Sequence, residues 1–318
     1  MFYEFINIKF TIIYKYEFEN RIEKSIVKLF FKRGFELRNP VRRGCFMERE
    51  PFMMIPGFTF IKRCGAGSSS EVWVASDTHG ILRAVRILDK KNRIYSRREN
   101  ARIASYRSFS ENSRHLLHFL HAGETPECYY YVSPLADNAE KKPYSPLQYR
   151  ADTLFYRLKY RTCSINGIFQ RIQEILCGLE DLHRNGMAHN DLKPENILFI
   201  RHRLFLADPG LISPSGEKNE NGTKGFRPEW EATGIESDIY ALGKIIYCMM
   251  TTTCDPEHFP ALNYNDFDPA FLPLNEIALR CCDRDPAVRF RDCRQIRDAL
   301  KNLLNDRKKM RSGNARTP

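Results

Sequence analysis

The chain has 318 residues, of which 42% are hydrophobic and 28% charged, a balance typical of a folded globular protein. Most of its formal charge of +11 lies at the two ends, and the body between residues 51 and 300 is close to neutral. A nucleic-acid-binding module usually carries its positive charge on the folded body, so the composition disfavours nucleic acid as a partner.

The ten cysteines are scattered without paired spacing, which predicts neither a zinc site nor a disulfide framework. Free thiols of this kind fit a reducing cytosol. The first residues include Glu4 and Lys9 and do not resemble a signal peptide, and no apolar run is long enough to span a membrane. We therefore expect a cytoplasmic protein without a transmembrane segment.

Residues 1–54 precede the first predicted strand, and residues 1–46 match nothing that follows them in composition or pattern. They are rich in Phe, Tyr, Ile, Lys and Asn. Either they form an N-terminal extension of unknown role, or the true start is Met47, Met53 or Met54, and the sequence favours neither alternative.

From Phe58 onward, short alternating segments predict antiparallel strands: FTFIKR, EVWVAS and LRAVRIL. A helix is predicted over Asn92–Tyr106, followed by a strand, CYYYVSPL, that ends at Pro134. Beyond residue 150 helical patterns dominate. One helix places Ile168, Ile172 and Leu179 on a single face and stops at Gly186, and a second begins with Ser237 as its N-cap.

A glycine-rich segment lies between the first two predicted strands and comprises Gly65, Ala66, Gly67, Ser68, Ser70 and Val72. Small residues in such a turn let backbone N–H groups approach phosphate oxygens. Taken alone, the pattern fits an ordinary glycine-rich hairpin better than a phosphate site.

A dense polar segment, His189 to Asn196, is followed by the apolar strand ILFI and by Ala207-Asp208-Pro209-Gly210. In this order of residues the chain resembles the protein kinase family. The resemblance implies an α+β, two-lobed fold over residues 55–305, with a small antiparallel β lobe at about 55–135 and a larger helical lobe at about 136–305. Residues 306–318 would then be a basic tail.

The resemblance also implies the chemistry of the site. Phosphoryl transfer needs an aligned hydroxyl and neutralised phosphate charge, so ATP with Mg²⁺ (or Mn²⁺) is the implied cofactor. Asp191 would orient the substrate hydroxyl and accept its proton, and Lys193 would contact the γ-phosphate. Asn196 and Asp208 would bind the metal. The remaining implied ATP contacts are those of the glycine-rich segment together with Ala84, Arg86, Glu99, Ser133, Pro134 and Ala136.

Three further residues match positions that brace the site in the family. Glu229 ends the activation segment, Asp238 begins a buried helix, and Arg289 is expected to pair with Glu229. The Lys two residues after Asp191 and the Gly222-Thr223 pair resemble Ser/Thr kinases more than Tyr kinases, and the phrases YYYVSPLADN and SDIYALGK are similar to the bacterial branch of that family. The resemblance implies protein substrates that the sequence does not identify.

The chain departs from the family at four positions. Arg86 stands where the family has a lysine, Asn190 replaces an arginine, Pro209 replaces a phenylalanine and Ser70 replaces a glycine. Two alternatives follow: an active but atypical Ser/Thr kinase, or a nucleotide-binding pseudokinase that acts as a scaffold. Because the four catalytic-loop and metal positions survive, the sequence favours the active enzyme.

Overall fold

The computed structural model describes residues 55–66, 70–91, 93–140, 145–160, 164–219, 222–254 and 271–314. The predictions made for residues 1–54 and for Gly67 and Ser68 lie outside this range. The described residues belong to one compact unit, Pro51–Pro318.

The small lobe is built on a five-stranded antiparallel sheet with strand order β1-β2-β3-β5-β4. Its strands are β1 (Phe58–Ala66), β2 (Ser70–Asp77), β3 (Leu82–Asp89), β4 (His121–Glu124) and β5 (Cys128–Pro134). Val85 and Ile87, on one face of β3, are buried against Val132 and Tyr130 of β5. The three N-terminal strands and the strand ending at Pro134 are therefore confirmed.

Helix α1 (Arg93–Ser110) joins β3 to β4. It lacks Gly and Pro, and its buried positions recur every three or four residues, at Ser96, Glu99, Ile103, Tyr106 and Ser110. Ile103 and Tyr106 pack into the main core. The same stripe carries the carboxylate of Glu99 toward the interior.

The larger lobe is mainly helical, with α2 (Leu154–Tyr160), α3 (Ile165–Arg184), α4 (Gly234–Thr251), α5 (Leu272–Cys281) and α6 (Cys293–Asn314). Ser164 caps α3, and the chain turns away at Gly186 with φ +70°, as predicted from its sequence. The apolar face of α3, including Ile168 and Ile172, is fully buried. Helix α6 continues to Asn314, so the tail predicted for residues 306–318 includes its last turns.

The N-cap of helix α4 lies four residues before the one predicted at Ser237. It is Thr233, whose hydroxyl accepts from the Glu236 N–H (3.4 Å) while the Glu236 carboxylate accepts from the Thr233 N–H (2.8 Å). Such a capping box satisfies two of the N–H groups that a helix start leaves unpaired. Ser237 is instead buried inside the helix. Among the described residues, no helix is long and apolar enough to cross a membrane.

Six short strands lie between α3 and α4, and their pairing fixes the positions of the loops there. They are β6 (Met187–Ala188), β7 (Ile197–Ile200), β8 (Arg203–Leu206), β9 (Ser213–Pro214), β10 (Lys218–Asn219) and β11 (Ala232–Thr233), which pair as β6-β9, β7-β8 and β10-β11. The β7-β8 hairpin brings Asn196, just before it, next to Ala207, just after it, and the Ala207 N–H donates to the Asn196 carbonyl at 2.8 Å. The predicted strand ILFI is β7.

We expect Thr233→Ala to lower the free energy of unfolding by about 1 kcal/mol, because an N-cap that accepts from a first-turn N–H contributes about this much. Denaturant unfolding of the purified protein measures the change. Thr253→Ala, at an exposed position beyond the end of the same helix, is the matched control. An equal change in the two variants would contradict the stabilising role of the capping box.

Candidate active site

A cleft of about 690 Å³ lies between the small sheet and the helical lobe. Every described residue that the sequence predicted for catalysis, ATP binding or metal binding lines it: Gly65, Ala66, Ser70, Val72, Ala84, Arg86, Glu99, Ser133, Pro134, Ala136, Asp191, Lys193, Asn196 and Asp208. The three bracing residues, Glu229, Asp238 and Arg289, are not part of its lining. Residues from β1, β2, β3 and β5 and from loops that follow α3 in the chain are thus brought together.

The apolar end of the cleft lies where β3 faces β5. Ala84 pairs with Ser133 in the sheet, and Ser133 is 5% exposed, with its hydroxyl donating to the Pro134 carbonyl at 3.3 Å. Leu198 and Ala207 line the same cleft from the large lobe. The sequence did not assign either residue to the ATP site: Leu198 lies on β7, and Ala207 comes directly after β8.

Arg86, on β3, binds two carboxylates at once. Its Nη2 and Nε donate to Glu99 Oε1 at 2.6 and 3.2 Å, and its Nη1 lies 2.9 Å from Asp208 Oδ1. Its side chain is 13% exposed. The sequence implied both Arg86 and Glu99 for the ATP site, and the structure pairs them. The contact with Asp208 is one that the sequence did not indicate.

Gly210 allows these three charged groups to converge. A Cβ on Gly210 would lie 2.9 Å from Arg86 Nη2 and 3.1 Å from both Glu99 Oε1 and Asp208 Oδ1. Arg102, one turn further along α1, donates to the Gly210 carbonyl at 3.2 Å. Helix α1 is therefore joined to the loop after β8 directly through Arg102, and indirectly through the Glu99–Arg86–Asp208 contacts.

The ion pairs determine the charge states in this part of the cleft. Burial acts to raise the pKa of Asp208, but the positive charge of Arg86 and the Gly210 N–H outweigh it and hold that pKa below its ordinary value. Burial acts to lower the pKa of Arg86, and the charges of Asp208 and Glu99 outweigh it and raise that pKa. The Arg86–Asp208 pair is therefore ionised at neutral pH.

Asp191 is surrounded by hydrogen-bond donors. Its Oδ1 accepts from the Thr223 hydroxyl at 2.7 Å and from the Thr223 N–H at 3.1 Å. Its Oδ2 accepts from Asn196 Nδ2 at 3.1 Å and lies 3.0 Å from Lys193 Nζ, which also donates to the Thr223 hydroxyl at 2.7 Å. The sequence had indicated Thr223 only as part of the Gly222-Thr223 pair, and it did not predict the contact with Asp191.

The loop that presents Asp191 is anchored by the fully buried carboxylate of Asp238 in α4. That carboxylate accepts from the N–H groups of His189 and Asn190, both at 2.8 Å, and from His183 Nε2 at 2.9 Å. Asn190 adopts a left-handed conformation with φ 64°, which Asn tolerates better than most residues. Its side-chain amide donates to the Leu211 carbonyl and the Ser213 hydroxyl, both at 2.9 Å.

The predicted pairing of Arg289 with Glu229 is not what the structure contains. Arg289 instead donates to the Glu236 carboxylate and, at 2.8 Å, to the Asp283 carbonyl, and its guanidinium lies over the ring of Trp230. Glu229 is exposed. Arg289 pairs with Glu236 because the first turn of α4 directs one oxygen of the Glu236 carboxylate toward Arg289, while the other oxygen completes the capping box.

Asp208 and Asn196 form a donor set that fits Mg²⁺. Both line the cleft, and carboxylate and amide oxygens are ligands of the kind that this ion prefers. Magnesium in phosphoryl-transfer sites takes one or two protein carboxylates and completes its shell with phosphates and water. One oxygen of the Asp208 carboxylate, Oδ1, already accepts from Arg86 and from the Gly210 N–H. The Asp208 side chain is 38% exposed.

We expect Asp238→Asn to lower the free energy of unfolding by about 2 kcal/mol or more, because the new amide group faces a donor and leaves a buried N–H without an acceptor. Denaturant unfolding measures the loss. The control is Asp298→Asn, which changes a carboxylate that is 59% exposed and should cost under about 0.5 kcal/mol. Equal losses in the two variants would mean that Asp238 does not anchor the loop.

Comparisons with known proteins agree with this geometry. The chain is similar to a probable serine/threonine-protein kinase of Clostridium acetobutylicum (26% identity over 165 residues, 44% of this chain and 25% of that protein). It is also similar to the serine/threonine-protein kinase PknG of Mycolicibacterium smegmatis (31% over 144 residues, 42% and 18%) and to PKH3 of Saccharomyces cerevisiae, a serine/threonine-protein kinase (28% over 221 residues, 60% and 24%).

The matched part of the chain thus spans a quarter or less of the length of these relatives. The family model for the protein kinase domain matches residues 58–315, well over half of the chain. With an antiparallel small lobe, a helical large lobe and the family's polar residues lining the cleft between them, this chain belongs to the protein kinase family.

Proposed function

We propose that this protein transfers the γ-phosphoryl group of ATP to serine and threonine hydroxyls of protein substrates. The observation that carries the proposal is the contact between Asp191 and an aliphatic hydroxyl, that of Thr223, at 2.7 Å and beside the Lys193 ammonium. A carboxylate that accepts from an alcohol at this point of the cleft has the geometry of a base for a serine or threonine side chain.

Each residue near Asp191 then has a distinct task. Asp191 orients the attacking hydroxyl and takes its proton, while Asn196 holds the same carboxylate through Oδ2. Lys193 places a positive charge close to Asp191, where the γ-phosphoryl group would meet the attacking oxygen. Bound with ATP at Asp208 and Asn196, Mg²⁺ would neutralise phosphate charge. The chain's own contribution is to align the reactants.

The start of the activation segment is held without any phosphorylated residue in the proposed enzyme. Asn190 stands where the family has a phosphate-binding arginine, and its amide reaches Leu211 and Ser213 directly. The β10-β11 pair fixes the later part of the segment to the start of α4. These contacts support an enzyme whose activation segment is held in place by the fold itself.

The cytoplasmic location of the protein stays a prediction.

A second candidate function is nucleotide binding without transfer, as in a pseudokinase that acts as a scaffold. The Arg86–Asp208 ion pair favours it, because an oxygen of the carboxylate implied to bind metal is already engaged. The arrangement around Asp191 favours the enzyme, since a scaffold has no need for Lys193, Asn196 and Thr223 to converge on one carboxylate.

We expect Asp191→Asn to lower transfer of labelled phosphate from ATP to a generic basic protein by about 10²- to 10⁴-fold, the contribution of a positioned base. The exposed variant Asp298→Asn should leave the rate unchanged. Thermal shift with ATP checks that the Asp191 variant still binds nucleotide. A wild type that is stabilised by ATP yet transfers no more phosphate than the variant would favour the scaffold instead.

We expect Ser133→Phe to exclude pyrazolopyrimidine inhibitors with a bulky C3 group. Ser133 lines the apolar end of the cleft, where the adenine ring of the proposed nucleotide would bind, and its small side chain would leave room behind that ring for the C3 group. An aromatic substituent that buries on the order of 100 Å² gains about 2.5 kcal/mol, nearly two orders of magnitude in Kd. Inhibitor affinity is the measurement, with Ser105→Phe on the exposed side of α1 as the control. Equal affinities for wild type and Ser133→Phe would contradict the position assigned to Ser133.

A further inference from the structure

The guanidinium of Arg86 connects two carboxylates through separate nitrogens. Nη2 and Nε serve Glu99, and Nη1 serves Asp208. A lysine at this position would have a single nitrogen for both partners, whereas the planar arginine group distributes five N–H donors over three nitrogens. Arg86 thus contacts both carboxylates without sharing one donor atom between them.

Arg86 offsets the negative charge that a triphosphate would meet in this cleft. Asp208 and Asp191 both line the cleft, and an ATP without metal would be repelled by their carboxylates. Lys193 lies 3.0 Å from Asp191, and Arg86, which Asp208 shares with Glu99, lies 2.9 Å from Asp208. Each of the two aspartates is therefore in contact with a protein cation. The three contacts of Arg86 use one N–H on each nitrogen and leave a second N–H on Nη1 and on Nη2.

We propose that Arg86 is a built-in counter-ion of Asp208 and that it makes nucleotide binding here less dependent on a divalent metal than a lysine would. The inference rests on the proposed nucleotide site. Because Asp208 already has a cation at 2.9 Å, a metal gains less there and a metal-free triphosphate loses less. This effect of Arg86 concerns nucleotide binding, so it applies to an active enzyme and to a scaffold alike.

The test compares ATP affinity in excess Mg²⁺ with affinity in excess EDTA, by isothermal titration of the full chain. We expect the wild type to lose less than about 3-fold on removal of the metal and Arg86→Lys to lose more than about 10-fold. Arg83→Lys is the matched control, since Arg83 lies on the same strand, pairs with Asp77 and does not line the cleft. It should behave as the wild type does.

Asp208→Asn provides a second, independent variant. It removes the metal-binding carboxylate and releases the Nη1 arm of Arg86, so ATP affinity should fall in Mg²⁺ and rise in EDTA. A fall in both buffers would overturn the inference, as would equal metal dependence in wild type and Arg86→Lys. If wild type and Arg86→Lys both bind ATP tightly and lose the same factor in affinity without metal, only this inference is overturned. If the wild type binds ATP in neither buffer, the proposed nucleotide site is overturned as well.

Discussion

One buried carboxylate, that of Asp238, holds the centre of the large lobe together. It is fully enclosed, and it accepts from two consecutive backbone N–H groups at His189 and Asn190. The ring of His189 then reaches the Ala207 carbonyl at 2.9 Å, directly before Asp208. The loop that carries Asp191 and the loop that carries Asp208 are therefore positioned by the same anchor. Since unpaired buried N–H groups are costly, the loop has little freedom to move away from it.

The elements that depend on local pattern could be predicted from the sequence. The strands of the small lobe alternate in polarity and the face of α3 repeats every three to four residues, so hydrophobic periodicity alone indicated both. The convergence of distant polar residues on one cleft came from their resemblance to a family and not from periodicity. Once that resemblance was recognised, the described residues expected to line the cleft were found there, from Gly65 to Asp208.

The failures concern choices between neighbouring side chains. Thr233 and Ser237 are both acceptable N-caps, and the capping box with Glu236 decides for Thr233. The same Glu236, and not the predicted Glu229, forms the ion pair with Arg289. The contacts of Asp191 with Thr223 and of Arg86 with Asp208 join residues 32 and 122 positions apart, and the lengths and directions of their side chains settle them. No local pattern in the sequence carries that information.

Two of the departures from the family, Arg86 and Pro209, act together. Pro209 begins a short 3₁₀ turn, Pro209–Leu211, and Asp208 before it is left-handed, with φ 62°, and caps the turn by accepting from the Gly210 N–H at 3.2 Å. Proline is suited to the first position of such a turn, because it has no N–H to satisfy there.

The residues on either side of Pro209 are the ones that Arg86 and Arg102 contact from the small lobe. A turn of fixed shape therefore presents Asp208 to Arg86 and the Gly210 carbonyl to Arg102. The absence of a Gly210 side chain leaves room for the ion pairs. The contact between the lobes thus depends on the whole Asp-Pro-Gly turn, and a change at Arg86 alone leaves half of that contact in place.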